Sequence, residues 1–219
     1  MASFFNLTLD TMAPTGLEVL LNDGAVYTTN TVVKLSVTVA DEATEGYQMK
    51  IWGTQGASEE FDASWETFAA TKQITLSSGD GLKTVYVKVR DDVGNETAAV
   101  SDAITLDTAV PVVTITGPDK SKISKVDGFD TSAVSFRANV AFTEYKVKVV
   151  PSQSSLEDAG TQIPTDGGSV NTSGTGEYEA DTAINVTLRG ADLEAASSGD
   201  GVKIVKVFVK TAAGTWSVA

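Results

Sequence analysis

The chain has 219 residues, a formal net charge of −13, and neither histidine nor cysteine. Its composition removes imidazole acid–base catalysis, thiolate nucleophiles, the usual zinc ligand sets and disulfide staples. The acidity argues against nucleic acid and anionic membrane surfaces as partners, and no run approaches the ~20 apolar residues of a membrane span.

Residues 1–10, Met1-Ala2-Ser3-Phe4-Phe5-Asn6-Leu7-Thr8-Leu9-Asp10, have no basic residue and no long apolar run. They do not read as a secretory signal. With Met1 as the native start, synthesis in the cytoplasm without export is expected. The segment reads as extended, and Phe4, Phe5, Leu7 and Leu9 are its candidate anchor or assembly residues.

Residues 11–108 read as a first domain. Val33, Leu35, Val37 and Val39 alternate with Lys34, Ser36 and Thr38, which predicts a strand with one buried and one wet face. A second strand is predicted from Tyr47, Met49 and Ile51. It places Trp52 on the outer face, as a candidate surface-binding aromatic. In the connection 53–71, Phe61, Trp65 and Phe68 at i, i+4 and i+7 predict a short helix whose aromatics plug one end of the core, the alternative being a ligand-stacking cluster. Ile74 and Leu76, then Val85, Val87 and Val89, then Val100, Ile104 and Leu106 complete the strands.

Residues 109–219 read as a second domain in the same order. Val134, Phe136, Ala138 and Val140 lead, followed by Tyr145, Val147 and Val149. A long Ser-, Gly- and Thr-rich loop over 152–176 is expected to be mobile. Val186 and Leu188 and the run Val205, Val207 and Val209 close the set. Surface lysines Lys34, Lys88, Lys146, Lys148, Lys206 and Lys210 read as the wet face, protecting against edge aggregation.

The two halves repeat one another. Ser77-Ser78-Gly79-Asp80-Gly81-Leu82-Lys83 returns as Ser197-Ser198-Gly199-Asp200-Gly201-Val202-Lys203, and each copy precedes a valine-rich alternating run. Each Gly-Asp-Gly reads as a tight hairpin turn, since glycine tolerates positive φ. The fold class expected is all-β: two tandem Ig-like (fibronectin-III-like) antiparallel β-sandwiches.

Two segments punctuate the copies: Leu7-Thr8-Leu9-Asp10-Thr11-Met12-Ala13-Pro14 and Ile104-Thr105-Leu106-Asp107-Thr108-Ala109-Val110-Pro111. They resemble the Asp-Thr-Thr-Ala-Pro linker between tandem bacterial immunoglobulin-like domains. Val85 to Glu96, ending in Asp91-Asp92-Val93-Gly94-Asn95, is similar to that family's next-to-last strand and closing turn. The second copy departs from it at Thr211-Ala212-Ala213-Gly214-Thr215 and in its middle loop.

The resemblance implies a non-enzymatic structural or decoration component of a bacteriophage virion (capsid, tail or fibre). Other virion proteins or further copies of the chain are the implied partners, with a host-surface glycan as a further one. The alternative is a fragment of a bacterial cell-surface adhesin or carbohydrate-binding module, for which Trp52 is the suggestive residue. No cofactor, catalytic residue or metal site is assigned. Asp91, Asp92, Asn95 and Glu96 lack the spacing of a calcium loop and read as turn caps.

One asymmetry remains. Phe5-Asn6-Leu7-Thr8-Leu9-Asp10 matches Asp102-Ala103-Ile104-Thr105-Leu106-Asp107, the closing strand of the first copy, while the second copy reaches Ala219 without one. Several readings stand. Residues 3–10 complete the second domain of a neighbouring subunit, head to tail; or residues 1–10 anchor the chain to a carrier or add to the first domain's own edge, with the second domain closing on six strands and its edge covered by the long loop.

Overall fold

Period-two alternation builds both halves. In the computed structural model, residues 5–41 and 43–218 are described, and the chain divides into two units, Met1–Thr108 and Ala109–Ala219.

The first unit runs through β1 (Glu18–Leu21), β2 (Tyr27–Thr28), β3 (Val32–Thr38), β4 (Gln48–Gly53), β5 (Glu66–Thr67), β6 (Thr71–Thr75), β7 (Gly81–Arg90) and β8 (Val100–Leu106). One sheet has the order β1-β3-β6, the other β2-β8-β7-β4-β5. All pairs are antiparallel except the short β2–β8 contact, which is parallel. Val19, Leu21, Leu35 and Ile74 from one sheet and Met49, Val85, Val87 and Ile104 from the other share one core. Two sheets burying their inner faces against each other make a β-sandwich.

The second unit contains β9 (Val113–Thr116), β10 (Thr131–Ala138), β11 (Phe142–Val150), β12 (Thr161–Gln162), β13 (Ser173–Tyr178), β14 (Ile184–Arg189), α1 (Gly190–Ala196) and β15 (Ile204–Lys210). Here β14-β10-β9 faces a sheet in which β12 and β13 share one edge of β11 and β15 lies on the other. Phe136, Ala138, Val186 and Leu188 meet Phe142, Tyr145, Val147, Val207 and Val209 in its core. The chain is therefore all-β, built from two sandwiches of the Ig-like, fibronectin-III-like kind.

Three local expectations are corrected. The Gly-Asp-Gly segments are not hairpin turns, because in the first unit β6 and β7 belong to opposite sheets and the segment arches between them. In the second unit α1 intervenes between β14 and the motif. The repeated lysine explains why the motif recurs. The Lys83 ammonium donates to Ser77 Oγ (3.3 Å) and Ser78 O (3.4 Å), and Lys203 donates to Ser197 Oγ (3.3 Å), Ser198 O (3.2 Å) and Gly199 O (2.6 Å).

Phe61, Trp65 and Phe68 do not share a helix face. Pairing of β5 with β4 pulls Glu66 and Thr67 into extended backbone, which separates the three rings. Phe61 is 82% exposed, and Phe68 packs edge-on against Tyr47 at 6.5 Å.

The polar stretch 152–176 is folded onto its unit. It contributes β12 and the start of β13, and Ile163 is fully buried in the core. The lysines of the supposed wet face hold it down. Lys148 donates to Glu157 O (2.6 Å), Lys206 donates to Gln153 O (3.1 Å) and Ser155 O (2.7 Å), and Lys146 pairs with the Glu157 carboxylate.

Candidate assembly surface

Residues 5–17 form neither strand nor helix. Phe5, Leu7 and Leu9 are 85%, 86% and 85% exposed, and Met12 is exposed as well. Phe4 lies outside the described residues. Among the described residues, the hydrogen bonds that hold the segment to its own unit begin at Asp10. Asn95 Nδ2 donates to Asp10 O at 3.5 Å, Thr15 N–H to the Asp41 carboxylate at 3.0 Å, and Ala40 N–H to Thr15 O at 2.8 Å.

Trp52 is corrected as a surface platform. It does alternate with the core residue Ile51 on β4, but only 7% of it is exposed. Its cross-strand partner is Tyr86, and the two rings stack at 5.6 Å with planes 13° apart. The ring face a sugar would need is occupied by another ring.

Two other tryptophans are only half-buried. Trp65 lies under Lys50 (5.0 Å) and Arg90 (4.3 Å), and Trp216 under Lys146 (4.7 Å) and Lys210 (5.5 Å). Each ring is flanked by two cations, one from each of two neighbouring strands. Sequence reasoning placed Trp65 in an end plug and passed over Trp216, although an aromatic just beyond the end of a lysine-bearing strand was a readable signal for the latter.

The acidic turn is engaged internally. The buried Asp91 carboxylate accepts the N–H groups of Val93 (3.0 Å) and Asn95 (2.8 Å) and the Asn95 side-chain amide (2.7 Å). Burial pushes this carboxyl up, and the hydrogen bonds from Asn95, Val93 and Gly94 overcome it, holding the group below the usual carboxylate range. Thr211 repeats the device with its hydroxyl, accepting from Thr215 N–H at 3.3 Å. Among the described residues no group of three or more acidic side chains is placed to hold a metal ion.

A shallow polar groove of about 470 Å³ lies over β11 between β12 and β13. Its lysines, Lys146 and Lys148, are already bonded to Glu157. Among the described residues no helix is long and apolar enough to cross a membrane.

Among the described residues, β15 pairs with β11 along its whole length, and its other side carries the Lys210–Trp216 bridge and the Val209–Ser217 hydrogen bonds at its end. The turn beyond β15 copies that beyond β7. Ser217 N–H donates to Val209 O (2.8 Å) as Thr97 N–H donates to Val89 O (2.8 Å). Along Ile204–Phe208 the outer edge has no partner among the described residues.

Solved structures with a similar course of chain include the following. Fibronectin(III)-like modules of Clostridium thermocellum CbhA align over 92% of this chain and 90% of theirs, at 12% identity and a TM-score of 0.48. The D00-D0 domain of intimin aligns over 92% and 96%, at 16% identity and a TM-score of 0.32. Carbohydrate-binding modules of the β-sandwich superfamily align over 95% and 99%, at 11% identity and 0.36. No family model matches the chain, and no curated protein sequence matches it.

Proposed function

We propose that the chain is a non-enzymatic structural module displayed on a bacteriophage virion, attached through residues 5–12. One observation carries this reading. Phe5, Leu7, Leu9 and Met12 place four large apolar side chains in water within eight residues, in backbone that makes no strand or helix. So dense an exposed apolar segment marks a surface that is covered in the working assembly. The sandwiches supply rigid spacing, and the charge of −13 keeps closely packed copies soluble. Display in many copies multiplies any weak host contact by effective concentration.

A second reading, a glycan-binding module of a bacterial cell surface, rests on the half-buried Trp65 and Trp216. A glycan array with the wild-type chain, Trp65→Ala and Trp216→Ala tests it. A glycan signal lost in either variant supports this reading, and silence from all three removes it. Immunogold labelling of a culture of the source organism tests the principal one. Gold on virions supports virion display, gold on the cell envelope supports the second reading, and label confined to the cytoplasm overturns both.

A further inference from the structure

The cations beside the two half-buried tryptophans occupy equivalent places in the two units. Arg90 and Lys210 are each the last residue of their strand, and the turns beyond them carry the same backbone hydrogen bonds. On the neighbouring strand, Gln48 lies opposite Arg90 as Glu144 lies opposite Lys210. Two residues further along those strands, Lys50 matches Lys146. Lys50 and Arg90 alternate with the buried Met49, Ile51 and Val89, which puts both on the outer face of their sheet. Trp65 reaches its pair of cations from just before β5, and Trp216 reaches its own from beyond β15.

What differs between the two places is negative charge. In the second unit the Glu144 carboxylate lies 3.5 Å from Lys146 and 3.3 Å from Lys210, so it joins both cations beside the indole. Lys146 pairs with Glu157 as well. In the first unit the place of Glu144 belongs to the neutral Gln48, whose side-chain oxygen accepts from Arg90 Nε at 2.8 Å and from Nη2. The acids nearby are engaged elsewhere. Glu60 and Glu96 hold Lys88 at 2.6 and 3.3 Å, and Glu66 pairs with Lys72. Among the described residues, neither Lys50 nor Arg90 forms an ion pair. In a chain of net charge −13, two uncompensated cations thus converge on one half-exposed aromatic ring.

We infer that Trp65, Lys50 and Arg90 bind a sugar ring that carries a carboxylate, a hexuronic or sialic acid unit of a saccharide. The ligand carboxylate supplies to Lys50 and Arg90 the charge that Glu144 supplies to Lys146 and Lys210 in the second unit. Lys50 donates to it, and so does Arg90 Nη1, which Gln48 leaves unused. The indole gives the C–H surface of the sugar an apolar wall beside the two cations. In the second unit, Glu144 and Glu157 already neutralise the matching cations, so that place takes no acidic ligand. The inference rests on the glycan-binding reading above and names the site and the class of sugar.

Titration calorimetry of the full chain tests it, with trigalacturonate and sialyllactose each measured beside its neutral methyl ester. The expected result is one equivalent of at least one acidic sugar per chain, bound about tenfold or more tighter than its ester. Gln48→Glu places a carboxylate between the two cations, as Glu144 does. It should weaken binding of the acidic sugar about tenfold or more and leave the thermal midpoint level or raised. Lys50→Gln removes a cation that has no ion pair to lose, and should weaken binding to a similar degree.

A wild-type chain that binds neither acidic sugar overturns the inference, and so do esters bound as tightly as their acids. Hexaglutamate bound as tightly as the better acidic sugar overturns the sugar class in favour of an acidic peptide. An acid preference that survives both Gln48→Glu and Lys50→Gln overturns the site. A neutral-glycan signal on the array, lost in Trp65→Ala or Trp216→Ala, can stand beside any of these failures. The glycan-binding reading and the inference therefore fail separately.

Discussion

Tyr86 turns Trp52 from a platform into a packed side chain. Both residues sit on outward positions of neighbouring strands, and their stacked rings bury what alternation alone would leave wet. Trp52→Ala should therefore cost about 3 kcal/mol or more in chemical denaturation, as large-to-small changes at packed aromatic sites do. Any glycan signal should survive the change. Asp192 makes a second residue-scale case. Its buried carboxylate accepts the N–H groups of Gly167 (2.6 Å) and Ser169 (2.7 Å), tying the stretch before β13 to α1. Burial raises this carboxyl, and the hydrogen bonds from Ser169 and Gly167 with the nearby Arg189 charge outweigh it, leaving the group below its ordinary value. A depressed folded value means stability that is complete above the unfolded carboxylate range and lost as pH falls through the folded value. Thermal midpoints should stay level from pH 7 to 5 and drop below about pH 4, with Asp91 contributing in the same direction. Asp192→Ala should cost about 2 kcal/mol at pH 7, because the buried Ser169 N–H and the half-buried Gly167 N–H lose their acceptor, and should shrink the acid-side drop. That alternation puts Trp52 opposite Ile51 is readable from the chain. That Tyr86 lies across from it is not, because the partner depends on which strands pair and in which register.

Strands with a clean alternation, such as β3, β7 and β10, announce themselves because every second side chain must be buried. β13 gives no such notice. Its sequence, Ser-Gly-Thr-Gly-Glu-Tyr, has little intrinsic strand preference, and it is extended because β11 supplies the ladder and Phe142 stacks on Tyr178 at 4.8 Å. Gly174 is needed for close approach. A Cβ at Gly174 would meet Tyr145 Cε1 and Tyr178 Oη, each at 2.5 Å. Gly174→Ala should cost about 1–3 kcal/mol, the usual range for overpacking, and thermal denaturation against wild type checks it. The polar loop misled for a related reason. A Ser-rich stretch looks free until the lysines beneath it are seen to donate to its backbone carbonyls. The candidate assembly surface was half legible. The match between residues 5–10 and β8 is plain in the letters, whereas that residues 5–10 form no strand and leave Phe5, Leu7 and Leu9 in water is seen only in the fold.

At the scale of the whole molecule, charge opposes assembly. Two copies each carrying −13 repel, and any association through the exposed residues Phe5, Leu7, Leu9 and Met12 has to proceed against that field. Added salt screens it, since the Debye length falls from about 30 Å at 0.01 M to about 3 Å at 1 M. The mass measured by light scattering should therefore grow between 0.02 M and 0.5 M sodium chloride at fixed protein concentration, and a decrease would identify ion pairing as the link. Crowding on a carrier obeys the same rule: copies held side by side push one another apart, so the spacing at which they settle widens as salt is withdrawn.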